Sequence, residues 1–396
     1  MLTQQSKPTM KGNADDDDDE FTALIHRSDH PRNNDAADQT LRSYTIFSFL
    51  FAANPSAALA CLSLATARLG SSGALSSGVL YLTYTLSSVM GATYVVKKLG
   101  SRNAMIVGMS LYCCYVGCFW AAVSFPNIAV IAVISGAFFG GIGAGILWTA
   151  QGSYFASAAE EHALNLGCDW TECTSLLSGI FAFAYLIEET ILHVSSYFLL
   201  QWGVPWTGIF ALYTMIAILS TVSIIFVKNY PPSRDNSSTK SQFYNVTVAL
   251  NLLFTDKKMP FLVGLSAAFG FAGAFLNSFV SGQVIRLALD DADSKFVGLF
   301  VSWAAFVAAI SSLIFGRFTH DYGKAPVMII GNAIFIFVAL PFILRPDLTS
   351  WTWQLLLLVY TCQGLGRATF ESTVKATFAD MYPHEKVSIQ LPIIKL

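Results

Sequence analysis

Two adjacent glutamates, Glu188 and Glu189, fall near the middle of an apolar run that extends from about residue 175 to about residue 200. A carboxylate at the centre of a bilayer costs about 2.5–3.5 kcal/mol on insertion scales, so an acid at this depth is a candidate for function. Desolvation favours the neutral, protonated form of such a group, and proton-coupled transport requires a group that gains and loses a proton. The alternative is a structural role, in which a protonated glutamate hydrogen-bonds across a helix interface.

The neighbouring residues predict different roles for the two acids. Glu189 and His193 are four residues apart, on one face of a helix, which makes a carboxylate–imidazole proton relay sterically possible. Adjacent helical residues point about 100° apart, so Glu188 points away from that face, towards helix packing. We therefore expect Glu189 to be the proton-coupling group, with His193 beside it and Glu188 as the second candidate.

A further set of charges, Arg367, Glu371 and Lys375, is spaced four residues apart and would form a ladder of ion pairs along one helix face. These residues lie at the end of the last long apolar run, on the side that we assign below to the cytosol. A solvated helix end, where ion pairs contribute little to stability, is favoured over an intramembrane site.

Composition predicts that membrane helices position these residues. Of the 396 residues, 54% are hydrophobic and 12% are charged, against about 25% charged in soluble globular proteins. The net charge of −2 gives no basic footprint for nucleic acid. We find no metal-ligand or disulfide pattern among the seven cysteines, no cofactor motif, and no nucleophile–base pair or phosphate loop of an enzyme. The expected environment is therefore the lipid bilayer.

Ten apolar blocks are long enough to cross a bilayer, which takes about 20 residues each. They cover approximately residues 44–67, 74–96, 104–123, 128–150, 175–200, 206–227, 260–285, 296–315, 327–344 and 351–370. A polar segment containing Pro231 and Pro232 separates the sixth block from the seventh. The sequence thus predicts an all-α polytopic membrane protein. Its predicted parts are a disordered acidic cytosolic tail (1–42), a six-helix bundle (43–227), a cytosolic linker (228–258) and a shorter helical half (259–396).

Lysine and arginine residues indicate the orientation of the chain. With the N-terminus in the cytosol, the cytosolic side receives the basic residues of the tail, of the linker, and of the turns after the second and eighth blocks. The opposite side receives Arg68, Arg286, Lys295 and Arg345. The asymmetry predicts a cytosolic N-terminus. The loop after the fourth block contains no lysine or arginine and gives this orientation no support.

The fourth block is rich in glycines at a spacing that suits close helix packing. Gly136 and Gly140 are four residues apart, and so are Gly141 and Gly145. In lipid, small residues at this spacing let a neighbouring backbone approach closely. We expect this helix to pack tightly against its neighbours.

The same block contains a motif, Trp-x-Ala-Gln-x-x-Tyr, formed by Trp148, Ala150, Gln151 and Tyr154 and preceded by Gly145. It resembles the fourth-helix signature of the uncoordinated-93-like family, a branch of the major facilitator superfamily. The resemblance implies the major facilitator fold, here with a six-helix N-terminal half and an incomplete C-terminal half of about four helices. The family has twelve helices, so the chain resembles either a truncated product or a natural short form.

The resemblance also implies a cavity between the halves, bordered by the first, fourth, seventh and tenth helices. Polar residues on those helices become candidate solute contacts. The cavity candidates are Asn54, Trp148, Gln151, Asn277, Ser278 and Arg367. Arg367 stands where the family often has an acidic residue, which is a departure from the pattern.

Two functions follow from the resemblance. The superfamily as a whole implies a secondary transporter of a small solute or ion, which can be proton-coupled. The closer family implies a non-transporting regulator or trafficking partner of other membrane proteins, such as ion channels or receptors. The intramembrane acids Glu188 and Glu189 favour transport.

The tail contains a candidate sorting signal in Glu20-Phe-Thr-Ala-Leu24-Ile25, which matches the acidic dileucine pattern at Glu20, Leu24 and Ile25. A pattern this short also arises by chance. If it is used, it predicts an endosomal, lysosomal or vacuolar membrane, and otherwise we expect the plasma membrane.

Overall fold

The computed structural model describes residues 33–230, 255–256, 259–291 and 293–381. Every regular element within these ranges is a helix. In these ranges, nine helices are long and apolar enough to cross a membrane. The tenth predicted block is also helical, but it is not among the nine. The all-helical architecture confirms the predicted fold class.

The helices follow the predicted order along the chain. They are α1 (Asn34–Leu69), α2 (Ser71–Leu99, π-helical over Ser88–Ala92), α3 (Ser101–Ser124), α4 (Ala129–Leu166), α5 (Trp170–Gln201), α6 (Trp206–Ser223), α7 (Met259–Leu289, π-helical over Leu276–Val284), α8 (Lys295–Tyr322), α9 (Lys324–Leu344) and α10 (residues 353–381, π-helical over Thr369–Val374). We call α1–α6 the first bundle and α7–α10 the second bundle. The proposed sorting residues Glu20, Leu24 and Ile25 lie outside the described ranges.

Helix α1 begins at Asn34, about ten residues before the predicted first apolar block. The side-chain oxygen of Asn33 caps it by accepting a backbone hydrogen bond from the first turn at 3.1 Å. The early turns pack on the end of α4, where Thr40 donates to Glu161 at 3.2 Å and His162 hydrogen-bonds a carbonyl of α1. The expectation of disorder up to residue 42 is therefore wrong for the start of α1. Capping and polar contacts, which a hydropathy pattern does not show, hold this segment.

Glu161 also holds the chain where it leaves the first bundle. Its carboxylate accepts from Lys228 Nζ at 2.5 Å and from the Tyr230 hydroxyl at 2.9 Å. Three segments therefore meet at one carboxylate: the start of α1, the end of α4 and the residues after α6. This contact fixes the point from which the predicted linker departs.

Helix α4 packs tightly against α2 and α3, which confirms the interpretation of the glycine spacing. A Cβ atom at Gly141 would lie 2.5 Å from the carbonyl oxygen of Leu80 in α2. A Cβ atom at Gly140 would lie 2.9 Å from the Cβ atom of Tyr115 in α3. Both separations are far shorter than van der Waals contact, so these two positions require glycine.

A disulfide joins Cys168, in the short connection between α4 and α5, to Cys173 in the first turn of α5. The sequence shows no disulfide pattern among the cysteines, so this pair corrects that expectation. The other five cysteines are free.

The two bundles pack against each other along several helices. Helix α5 contacts α8 and α10, and α1 contacts the π-helical part of α7. Within the first bundle, α6 packs on α1 and α3. In the second bundle, α7 and α9 border an open apolar groove of about 960 Å³, whose lining includes Leu265, Phe271, Phe275, Met328 and Ala333. The division into tail, bundle, linker and half at the stated boundaries stays a prediction.

Candidate functional site

A cavity of about 470 Å³ lies between the two bundles. Helices α1 to α5 line it on one side, and α7, α8 and α10 line it on the other. Its volume is within the range usual for small-molecule sites. The aromatic side chains in its walls include Tyr84, Tyr112, Trp148, Tyr185 and Tyr360.

The ion pair between Glu189 and Arg367 joins the two bundles inside this cavity. Arg367 Nη1 lies 2.6 Å from Glu189 Oε1, and Nη2 lies 2.5 Å from Oε2, so the contact is bidentate. Glu189 is 0% exposed and Arg367 is 9% exposed. The guanidinium carbon also lies 5.8 Å from the ring centroid of Tyr185. A charge-assisted bidentate pair of this kind is among the stronger polar contacts in proteins.

Arg367, Glu371 and Lys375 do not form the predicted continuous ladder of ion pairs along α10. Arg367 extends to Glu189 of α5, whereas Glu371 and Lys375 form an ion pair of 2.5 Å within α10. Glu371 is 4% exposed, and the Lys375 side chain is 10% exposed. The interpretation as a solvated helix end is therefore wrong, because the first bundle covers this part of α10. The π-helical turn Thr369–Val374 separates the two cations.

Lys375 adds a second contact between the bundles. Its ammonium lies 4.9 Å from the ring centroid of Phe181 and 5.4 Å from that of Trp148. Both distances are within the range of cation–π attraction. Helix α10 thus places two cations against the acid and aromatic side chains of α4 and α5.

His193 does not form the predicted relay with the carboxylate of Glu189. Its Nε2 lies 2.9 Å from Ser63 Oγ in α1, and its Nδ1 lies 2.9 Å from the backbone carbonyl oxygen of Glu189. The carboxylate itself is turned towards Arg367. His193 is 0% exposed and therefore acts as a packing contact between α1 and α5.

Glu188 has neither hydrogen bond nor ion pair within the part of the chain that the structure describes. Its side chain is half-buried, and it is absent from the residues that line the cavity. The structure therefore separates the two acids as the helix geometry predicted, with Glu189 alone facing the cavity. The assignment of proton coupling stays a prediction.

Two of the polar cavity candidates pack between helices. Asn54 is 0% exposed, and its amide nitrogen lies 3.0–3.2 Å from the carbonyl oxygens of Met109 and Ala217 and from the Thr221 hydroxyl, which share its two N–H donors. It ties α1 to α3 and α6. Gln151 is buried but does not line the cavity.

The remaining candidates divide between the cavity and its surroundings. Trp148, Asn277 and Arg367 line the cavity. Ser278, next to Asn277 in the π-helical part of α7, is half-buried and outside the lining. Three of the six candidates therefore line this cavity, and their role as solute contacts stays a prediction.

The family motif is mainly a packing element. Ala150 is 0% exposed, and Tyr154 stacks on Phe47 with ring centroids 4.1 Å apart. A Cβ atom at Gly145 would lie 2.8 Å from the backbone nitrogen of Ser88. Among the motif positions, Trp148 is the one that reaches the cavity.

The sequence analysis missed Gln363, which lines the cavity one helical turn before Arg367. Its spacing of four residues from Arg367 places both on one helix face, and this signal was available in the sequence. It also missed the tyrosines of α2 and α3, which a pattern of apolar blocks does not distinguish from packing residues. Within the described ranges, no group of three or more His, Cys, Asp or Glu side chains could hold a metal ion.

Contacts on both sides of the cavity hold the bundles together. At the end of α10, Asp380 accepts from Thr174 of α5 at 2.9 Å and pairs with Lys324 of α9. At the opposite side, Ser294 donates to the carbonyl oxygen of Ala67 in α1 at 3.3 Å. Any movement that opens one side of the cavity must separate one of these sets of contacts.

Sequence comparison finds that the profile of a family described as "Ion channel regulatory protein UNC-93" matches residues 69–389. Similar proteins include UNC93-like protein 3 of Arabidopsis thaliana, which is 22% identical over an alignment of 329 positions, with 79% of this chain and 68% of that protein covered. Protein unc-93 homolog A of Mus musculus is 20% identical over 358 residues, with 79% of this chain and 75% of that protein covered.

Solved structures with a similar fold include a partially occluded inward-open conformation of the xylose transporter XylE from E. coli. It has a TM-score of 0.62 and 15% identity, with 91% of this chain and 88% of that chain covered. The E. coli fucose:proton symporter FucP gives a TM-score of 0.56 and 14% identity, with coverage of 90% and 87%. At this identity the likeness shows the fold, which is that of the major facilitator superfamily.

Proposed function

This chain belongs to the UNC-93 family, and from that premise we propose that it is a secondary transporter of a small solute, with Glu189 and Arg367 as its proton-coupling ion pair. The observation that carries the proposal is the bidentate contact of this buried pair across the two bundles. The pair lies in the cavity, where a solute and a proton would act on the same contact.

The electrostatics of the pair link protonation to movement. Removing one partner from a buried ion pair is strongly unfavourable, because it leaves an uncompensated charge. While Glu189 is ionised, the bundles therefore separate only at a high cost. A proton on Glu189 removes the charge that holds Arg367, so the two helices α5 and α10 can then part.

The contacts around the pair fit alternating access. Opening towards the end of α10 also requires Lys375 to leave the rings of Phe181 and Trp148 and Asp380 to leave Thr174. These contacts are polar or cation–π contacts. Rocking of one bundle against the other around a fixed site is the usual motion of this kind of transporter.

The test begins with the purified full chain and a panel of sugars, nucleosides, amino acids and organic acids in a thermal-shift assay. A solute that raises the melting temperature is then used in proteoliposomes with an acidic exterior. We expect solute accumulation in the wild type, and loss of the pH-driven component in Glu189→Gln. Glu188→Gln is the matched control, because its side chain has no partner within the described ranges and lies outside the cavity lining. Equal pH-driven uptake by Glu189→Gln and the wild type would overturn the proposed coupling.

A non-transporting regulator is the second candidate, and the description of the family as ion channel regulatory proteins favours it. In that function the cavity pair would only hold the bundles in a shape that another membrane protein recognises. We would then expect no solute of the panel to change the melting temperature, while co-expression with an ion channel changes its current or surface level.

We propose a cytosolic N-terminus and linker, which the distribution of lysine and arginine supports. Asn236 and Asn245 are the acceptor residues of two N-glycosylation sequons in the linker. Glycosylation of either residue in cells would contradict this orientation.

We propose residence in an endolysosomal or vacuolar membrane if the dileucine pattern is used. Replacing Leu24 and Ile25 with alanine should then move the protein to the plasma membrane. Unchanged localisation of that double variant would remove the sorting hypothesis.

A further inference from the structure

Among the uncharged residues that line the cavity, three polar side-chain atoms have no hydrogen-bond partner within the described ranges. They are Oε1 of Gln363 in α10 and the hydroxyl oxygens of Tyr84 in α2 and Tyr115 in α3. The three residues are 6%, 7% and 1% exposed. The large majority of buried polar side-chain atoms in proteins have a partner. Three polar atoms without a partner, in residues that both bundles contribute to one cavity, point to a ligand that forms hydrogen bonds.

The charges around the cavity are already balanced. The charged residues that line it are Glu189, Arg367 and Glu371. Glu189 pairs with Arg367, and Lys375 Nζ lies 2.5 Å from Glu371, so two acids face two bases. An ion that entered would either leave a net charge in a desolvated space or break one of these pairs. An uncharged solute needs only hydrogen bonds.

The donors and the acceptor around the cavity suit hydroxyl or amide groups. Gln363 offers a carbonyl oxygen, and the hydroxyls of Tyr84 and Tyr115 can donate or accept. Arg367 keeps one donor, Nε, outside its pair with Glu189. The aromatic rings in the cavity walls offer flat apolar surfaces beside these polar atoms.

We propose that the cavity binds an uncharged solute with several hydroxyl or amide groups and one flat apolar face, such as a sugar, a cyclitol or a nucleoside. The cavity volume of about 470 Å³ accommodates a solute of one or two rings. As cargo, this solute class rests on the transport function proposed above, but its binding does not depend on transport.

The test measures binding to the purified full chain by thermal shift and equilibrium dialysis. Uncharged probes are D-glucose, myo-inositol and uridine, and charged probes are glutamate, citrate and choline. We expect at least one uncharged probe to bind and the charged probes not to. Gln363→Leu should weaken that binding about tenfold, the usual effect of losing one hydrogen bond. Gln354→Leu is the matched control, since Gln354 is exposed in the same helix.

A second variant keeps the test independent of the folding of the first. Tyr84→Phe removes one hydroxyl and should weaken binding several-fold, whereas Tyr94→Phe, in the same helix and 45% exposed, should not. Binding unchanged in both Gln363→Leu and Tyr84→Phe would overturn the proposal. Failure of all three uncharged probes at millimolar concentration would do the same.

The outcomes also separate this inference from the proposed function. Binding of an uncharged probe without any uptake in proteoliposomes would retain the site and overturn transport. Uptake of citrate, glutamate or choline that depends on Arg367 would retain transport and overturn the solute class.

Discussion

The first and second bundles share a packing scheme but differ in how their first helix is covered. Helix α4 packs on α2 and α3, and α10 packs on α8 and α9 in the same way. In the most apolar stretch of α1, 67% of the residues are buried, against 33% in the corresponding stretch of α7. The difference arises because α5 and α6 cover α1, whereas α7 borders the open groove with α9.

The two bundles contribute different kinds of residue to the contact between them. The first bundle contributes the buried framework, the aromatic side chains and Glu189. The second bundle contributes both cations, Arg367 and Lys375, on a single helix. We therefore expect substitutions in the first bundle to lower stability through its internal packing, and substitutions of the α10 cations to lower it through the contact between the bundles.

The largest effect is expected from Arg367→Ala, which leaves Glu189 buried without its cation. Breaking a buried pair on one side costs about 3–5 kcal/mol, so the melting temperature of the purified protein should fall by several degrees. The double variant Arg367→Ala with Glu189→Gln should recover much of that loss, because no uncompensated charge remains. A double variant less stable than the single one would show that the link between bundles has another origin.

A smaller effect is expected from Asn54→Ala, which removes the amide that ties α1 to α3 and α6. Losing these hydrogen bonds should cost about 1–3 kcal/mol. Asn277→Ala in α7 is the comparison, since Asn277 is half-buried and has no hydrogen-bond partner within the described ranges. It should change stability by less than about 0.5 kcal/mol. The measurement is the unfolding midpoint of each variant. Equal midpoints for Asn54→Ala and Asn277→Ala would contradict the expected difference between the bundles.

Gly141→Ala tests close packing in the first bundle. The added methyl group would lie 2.5 Å from the carbonyl oxygen of Leu80, and overpacking of this kind typically costs about 1–3 kcal/mol. Gly264→Ala in α7 is the matched control, because no atom lies within 4 Å of its added Cβ atom. We expect lower yield and a lower melting temperature for Gly141→Ala alone.

The smallest expected effect is a difference in cysteine reactivity in the groove between α7 and α9, with stability nearly unchanged. Ala333 is exposed in the groove between α7 and α9, whereas Ala217 is 0% exposed in α6 of the first bundle. Cysteine introduced at Ala333 should react faster with a membrane-permeant maleimide than cysteine introduced at Ala217. The same reaction rate at both positions would mean that the groove is covered in the membrane.

Much of the fold could be predicted from the sequence, because apolar blocks and glycine spacing depend on local composition. The ten blocks and the close approach at Gly141 are of this kind. The start of α1 could not be placed, since Asn33 and Thr40 are polar. Asn33 caps the first turn of its own helix, and Thr40 donates to the distant Glu161. Hydropathy does not record such contacts.

The site was only partly predictable. Helix geometry places Glu188 and Glu189 on different faces, and in the structure Glu189 is the one that lines the cavity. Its partner did not follow, because Arg367 is 178 positions away and approaches only when the bundles pack together. For the same reason Arg367 and Lys375 were assigned to a solvated helix end rather than to the interface.

The balance of charge around Glu189 has an electrical consequence. With Glu189 ionised, the charges of the two acids, Glu189 and Glu371, cancel those of the two bases, Arg367 and Lys375, so the cavity has no net charge. One bound proton makes the loaded cavity positive, so carrying a proton with an uncharged solute transfers one elementary charge per cycle. A membrane voltage of 100 mV then contributes about 2.3 kcal/mol, enough for roughly fifty-fold accumulation. The voltage across the membrane, in addition to its pH gradient, would set how far such a carrier concentrates its solute.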